Sequence, residues 1–206
     1  MWGKEERVRL ARSGFVRDTK DMNTVHVATR TRFFIGIPLP AKARAAIART
    51  IPIYKPYIQR QIPPENWHIT FAFLGEIEKW EEYLASLTQP MPQLFAPTVS
   101  LTHVGQGLRP GRLWAYAAAS PSLQSLHKSL SERIAQSGLE RPPDSANRPF
   151  VPHVQIASLS KTLPRLGLPD NPATATFAIH ELTLFASDLA GEFARYTPKA
   201  TMAVTA

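Results

Sequence analysis

Two short runs of the chain constrain its fold more than anything else in it. Asn66-Trp67-His68-Ile69-Thr70-Phe71 and Val151-Pro152-His153-Val154-Gln155-Ile156 each set one histidine among apolar, β-prone residues. Each also carries a hydrogen-bonding side chain two positions after the histidine. Along a strand, residues i and i+2 share one face while their neighbours point to the other. His68 and Thr70 therefore project together, with Ile69 and Phe71 buried behind them. His153 and Gln155 do the same in front of Val154 and Ile156. Both halves of the chain read helix, proline turn, then His-x-(Thr/Gln) strand. That repetition predicts an internal duplication, with a cleft between two lobes.

The surrounding pattern gives the fold class. Phe33–Ile37 reads as a buried strand, Ala41–Thr50 as a helix stopped or kinked by Pro52, and Glu78–Leu87 as a second helix. Val99–Val104 and Leu113–Ala118 are strand candidates, separated by a loop from Gly105 to Gly111. The helix Ser122–Ser137 has Ser120 as its cap, Pro121 in its first turn and Gly138 at its end. Leu123, Leu126, Leu130 and Ile134 form its apolar stripe. A loop over Glu140–Pro149 delivers the strand His153–Leu159, and strand-like runs follow at Phe177–Phe185 and Glu192–Val204. The long crossover helices of a parallel sheet are missing. The expected class is α/β in the α+β sense: two antiparallel sheets around a central cleft, with helices on the outer faces.

Residues 1–30 differ from the rest. Lys4, Arg7, Arg9, Arg12, Arg17, Lys20 and Arg30 alternate with Glu5, Glu6, Asp18 and Asp21, and little there is apolar. This reads as a basic, disordered N-terminal extension preceding one bilobal domain over 31–206, with no hydrophobic stretch for a secretory signal. No apolar run reaches the roughly 18–20 residues of a membrane span. The chain has no cysteine, which excludes disulfides, thiolate metal sites and a cysteine nucleophile, and fits a cytoplasmic protein. A net charge of +8 and a pI near 10.0 favour a polyanionic partner, because neutralised phosphates release condensed counterions.

Paired imidazoles suit acid–base chemistry on a phosphate. Histidine titrates near neutrality, so one ring can be neutral while the other is charged. The neutral ring takes a proton from water and the charged ring gives one to the departing oxygen. The Thr70 hydroxyl and the Gln155 amide can hold the non-bridging phosphate oxygens, a role commonly contributing about 2.7–4 kcal/mol per donor. The chemistry needs no cofactor, and no carboxylate cluster or histidine i, i+4 pair offers a metal site.

Three segments carry a family resemblance. Phe33-Phe34-Ile35-Gly36-Ile37-Pro38-Leu39-Pro40, the run from Pro63 to Glu76, and Arg148-Pro149-Phe150-Val151-Pro152-His153 resemble the 2H phosphoesterases. Glu181–Phe185 and Arg195-Tyr196 extend the likeness toward the C-terminus. The nearest branch is the RNA 2′,3′-cyclic phosphodiesterases, also called 2′-5′ RNA ligase-like proteins. The resemblance implies a bilobal fold and metal-independent opening of an RNA-terminal 2′,3′-cyclic phosphate to a 2′-phosphomonoester. It also implies His68 and His153 as the catalytic pair, the assignment of acid and base staying open. The family carries Thr or Ser where Gln155 stands, and the longer amide cannot occupy the geometry of a hydroxyl.

Arg148 and Phe150 are assigned to phosphate or substrate binding. Trp67, like Phe150, could stack on a base or fill the core. Arg109 and Arg112 form a basic loop suited to an RNA backbone or to solvent. His127 reads as structural, and His26, His103 and His180 carry no motif. Expected partners are RNA ends bearing a cyclic phosphate or a small cyclic nucleotide, met by a monomer. Two other functions compete: a weakly active RNA-end-binding module, and an enzyme for small cyclic nucleotides or 2′–5′ oligonucleotides.

Overall fold

A computed structural model describes residues 31–93, 96–142, 148–160, 167–188 and 193–205. The expected extension over 1–30, the middle of the loop before His153 (143–147) and Glu192 lie outside the described residues.

Among the described residues ten strands form the ladder: β1 (Arg32–Pro38), β2 (Ile58–Gln61), β3 (His68–Glu76), β4 (Met91–Pro92), β5 (Thr98–Gln106), β6 (Arg112–Ala117), β7 (His153–Leu159), β8 (Asn171–Ala178), β9 (Glu181–Asp188) and β10 (Arg195–Thr205). Their order is β4-β10-β9-β1-β3-β7-β6-β5-β8, with β2 added to β7. All pairings are antiparallel except the short β4–β10 contact. The two expected sheets are thus two halves of one ladder, meeting where β3 and β7 pair through Ile69 and Val154. Those residues immediately follow the two histidines.

Helix α1 (Ala41–Ala48) packs on β8, and α4 (Pro121–Gln136) packs on β3, β4 and β5. The α4 stripe of Leu123, Leu126, Leu130 and Ile134 is buried as its spacing requires. Ser120 caps it by accepting from the Leu123 N–H at 3.3 Å, and Gly138 follows its end at a φ of 78°, where a Cβ would be strained. Among the described residues, no helix is long and apolar enough to cross a membrane.

Several elements differ from their sequence reading. The first helix breaks at Thr50, whose hydroxyl and backbone N–H both donate to the Ile47 carbonyl, and a separate turn α2 (Ile51–Tyr54) follows with Pro52 near its start. The helix expected over Glu78–Leu87 is a 3₁₀ turn, Trp80–Tyr83, followed by the single turn α3 (Leu84–Leu87). There Trp80 is fixed by stacking on Phe33, with ring centroids 5.6 Å apart. The run Phe177–Phe185 spans two strands, because the chain turns at Ile179 and His180 between β8 and β9. Strand β8 alternates Ala and Thr around Pro172, a pattern with too little apolar contrast to declare itself.

Candidate active site

The site is built on the single bridge between the two halves. Counting outward from the antiparallel pair Ile69–Val154 sets His68 opposite Gln155 and Thr70 opposite His153. All four occupy the face opposite the buried Ile69, Phe71, Val154 and Ile156. The two histidines are diagonal neighbours on this face, about 7–8 Å apart or somewhat less at Cβ, a spacing that lets both rings reach one ligand. Outer neighbours extend the face: Gly36 pairs with Thr70, and Trp114 and Tyr116 pair with Gln155 and His153.

Each imidazole is held the same way. His68 Nδ1 lies 2.7 Å from the Asn66 carbonyl, and His153 Nδ1 lies 2.7 Å from the Val151 carbonyl, two residues back in both cases. A carbonyl only accepts, so both Nδ1 atoms carry the proton and donate. Each neutral ring therefore keeps its bare lone pair on Nε2. The two motifs thus hold their rings in the same tautomer.

The two rings sit in different walls. His68 lies 4.6 Å from Phe34 and 4.9 Å from Tyr196, edge to face with the latter. His153 stacks on Trp114 at 3.7 Å. The indole of Trp114 also covers Gly107, where an added Cβ would lie 2.8 Å from the ring, so the loop after β5 needs glycine there. Burial holds both imidazoles below the ordinary value of 6.5. The carbonyl bonds oppose that shift, while the charge of His153 adds to it at His68 and that of Arg109 adds to it at His153. The Thr70 hydroxyl and Gln155 amide make no hydrogen bond among the described residues, which leaves both available to a ligand.

Not every expected residue joins them. Phe150 corrects the sequence reading: it packs against Phe71 at 5.1 Å and stacks on His127 at 4.2 Å. Phe71 lies on the α4 side of β3, so Phe150 closes the helix interface and does not face the phosphate position. Trp67 is 1% exposed and donates its indole N–H to the Ile62 carbonyl at 2.9 Å, which makes it core. Arg148 is exposed on the approach to β7, outside the four-residue group. Arg112 Nη1 donates to Ser158 Oγ at 2.7 Å, joining β6 to β7. Among the described residues, no three His, Asp or Glu side chains form a metal-binding group. Sequence reasoning passed over Phe34, Trp114 and Phe185. The alternation of β6 places Trp114 with Arg112 and Tyr116, and would have found it.

A cavity of about 350 Å³ opens beside His68, between Phe34, Asn66, Thr183, Phe185 and Tyr196.

This architecture and this pair of strand histidines define a 2H phosphoesterase, and the chain belongs to the 2′-5′ RNA ligase superfamily, whose sequence model matches residues 37–191. Its sequence is 33% identical to the RNA 2′,3′-cyclic phosphodiesterase of Escherichia coli strain K12, over 84% of this chain and 97% of that protein. It is 30% identical to the RNA 2′,3′-cyclic phosphodiesterase of Thermus thermophilus, over 66% of this chain and 72% of the relative. The crystal structure of E. coli LigT bound to 3′-AMP superposes with a TM-score of 0.68 at 31% identity, covering 85% of this chain and 99% of LigT.

Proposed function

We propose that this chain is a hydrolase that opens the 2′,3′-cyclic phosphate at RNA ends, using His68 and His153 as a general acid–base pair. One observation carries the reading: two imidazoles tied by Nδ1 to the carbonyl two residues back, presenting Nε2 from either side of the Ile69–Val154 bridge. The phosphodiesterase names of its relatives in E. coli and T. thermophilus support it. The cyclic phosphate sits between the rings, with its non-bridging oxygens accepting from Thr70 and Gln155. His153 takes a proton from water as the water oxygen attacks phosphorus. The bond to the 3′ oxygen breaks, His68 protonates that oxygen, and the 2′-phosphomonoester is left. Arg109 and Arg148 supply positive charge toward the remaining RNA. The cysteine-free composition fits a reducing, cytoplasmic setting.

The pH dependence tests the pair. Burial keeps both rings mainly neutral at pH 7, yet turnover needs one of them charged. The maximum of kcat/KM for a nucleoside 2′,3′-cyclic phosphate is therefore expected below pH 6.5. A maximum on the alkaline side of neutrality contradicts the assignment. Stability follows with a definite sign. Above 6.5 the rings are neutral in both folded and unfolded chains; as pH falls through that value the unfolded chain binds protons first. Folding stability thus declines with falling pH, until the lowered folded-state values are passed.

Gln155 tests the phosphate cradle. A displacement on the order of 1 Å at a reacting centre costs ~100-fold in rate. Gln155→Thr is expected to preserve or raise turnover, by restoring a short donor opposite His68. A large loss in that variant would mean that the amide has an adapted role of its own.

A further inference from the structure

We propose that the cavity beside His68 receives the terminal base of the substrate, and that Glu65 and Glu181 select bases bearing an exocyclic amino group. The inference rests on the proposed reaction for the position of the phosphate, and takes its own content from the cavity.

The chain carries a net charge of +8, yet the charged side chains lining this cavity, apart from His68 itself, are two carboxylates, Glu65 and Glu181. Neither forms an ion pair among the described residues. Thr183 is 4% exposed and lines the same cavity, and its hydroxyl makes no hydrogen bond among the described residues. The Tyr196 hydroxyl is likewise unengaged there, and burial raises its pKa, so the phenol stays a neutral donor. Both hydroxyls are therefore open to the cavity and free to bond an occupant. The walls are aromatic: Phe34 and Phe185 stack on each other at 5.1 Å. At about 350 Å³ the volume lies at the small end of the ~300–1,000 Å³ typical of small-molecule sites.

These features describe the occupant. Two unpaired carboxylates repel phosphate, so the anionic end of the ligand belongs at the histidines and its uncharged end in the cavity. The uncharged end must offer an aromatic face and hydrogen-bond donors. A carboxylate only accepts, so it binds the amino group of cytosine and opposes the O4 carbonyl of uracil. Cytosine and uracil have the same size and stack alike, which makes them the discriminating pair. The arrangement also orients the RNA: the terminal base lies toward β9 and β10, and the rest of the chain leaves past His153 and Arg109.

The test is equilibrium binding of cytidine 2′-phosphate and uridine 2′-phosphate, measured by calorimetry. Wild type is expected to bind the cytidine form about tenfold more tightly, the value of one charge-assisted hydrogen bond. In the double variant Glu65→Gln, Glu181→Gln, the ratio should fall toward one, because an amide can donate to O4 as well as accept. Both glutamates are exposed, so the change leaves the core untouched. Equal affinities in wild type, or a ratio unchanged in the double variant, overturns the proposal. Hydrolysis of the two cyclic phosphates, followed in parallel, separates it from the proposed reaction. A cytidine preference without turnover retains the base site and removes the hydrolase reading; turnover with equal affinities does the reverse.

Discussion

Replacing either His68 or His153 with alanine is expected to lower kcat by about 10²–10⁴-fold, the usual worth of a positioned proton donor or acceptor. The double variant should be little worse than the weaker single variant, because the two rings act as a unit and their effects do not add. The roles separate by changing the leaving group. A substrate with sulfur in place of the 3′ bridging oxygen departs without needing a proton. It should recover most of the rate lost in His68→Ala and little of that lost in His153→Ala. The opposite pattern would exchange the acid and the base. Rescue of neither would show that neither ring protonates the 3′ position.

Trp67→Ala is expected to cost about 3–5 kcal/mol of folding stability, as large aromatic truncations in cores do. Trp67 is 1% exposed, its indole bonds the Ile62 carbonyl, and its own carbonyl accepts from the Leu39 N–H at 3.2 Å. It also joins Asn66, whose carbonyl orients the His68 ring, to His68 itself. Urea denaturation measures the loss, and a change below ~1 kcal/mol would show that the site collapses around the gap. Trp67→Phe keeps most of the bulk but leaves the Ile62 carbonyl without its donor, and should cost about 1–3 kcal/mol.

The centre of the molecule was readable because its residues obey short-range rules. The period-two alternation around His68 and His153 placed the four polar side chains on one face, and the α4 stripe placed the helix beneath. The matching Nδ1 bonds were not legible, since Asn66-Trp67 and Val151-Pro152 share no residue and only the backbone path brings each carbonyl to its ring. What escaped was set by contacts distant in the chain. Phe150 looked like a cleft residue from its position before β7, but only the α4 packing against Phe71 and His127 decides its side. Phe185 and Thr183 reach the cavity because β9 lies beside β1, a pairing that no local signal announces. Strand β8 stayed hidden because Ala and Thr in alternation distinguish a buried face poorly from an exposed one.

If His68 and His153 carry the reaction, two imidazoles suffice for the chemistry. The direct measurement is hydrolysis of an RNA oligonucleotide ending in a 2′,3′-cyclic phosphate, in excess EDTA, with the product followed by phosphorus NMR. Full turnover and a 2′-phosphomonoester are expected, both lost in either histidine variant. Turnover that EDTA abolishes, or a 3′-phosphate product, or hydrolysis undiminished in His68→Ala and His153→Ala, would contradict that assignment.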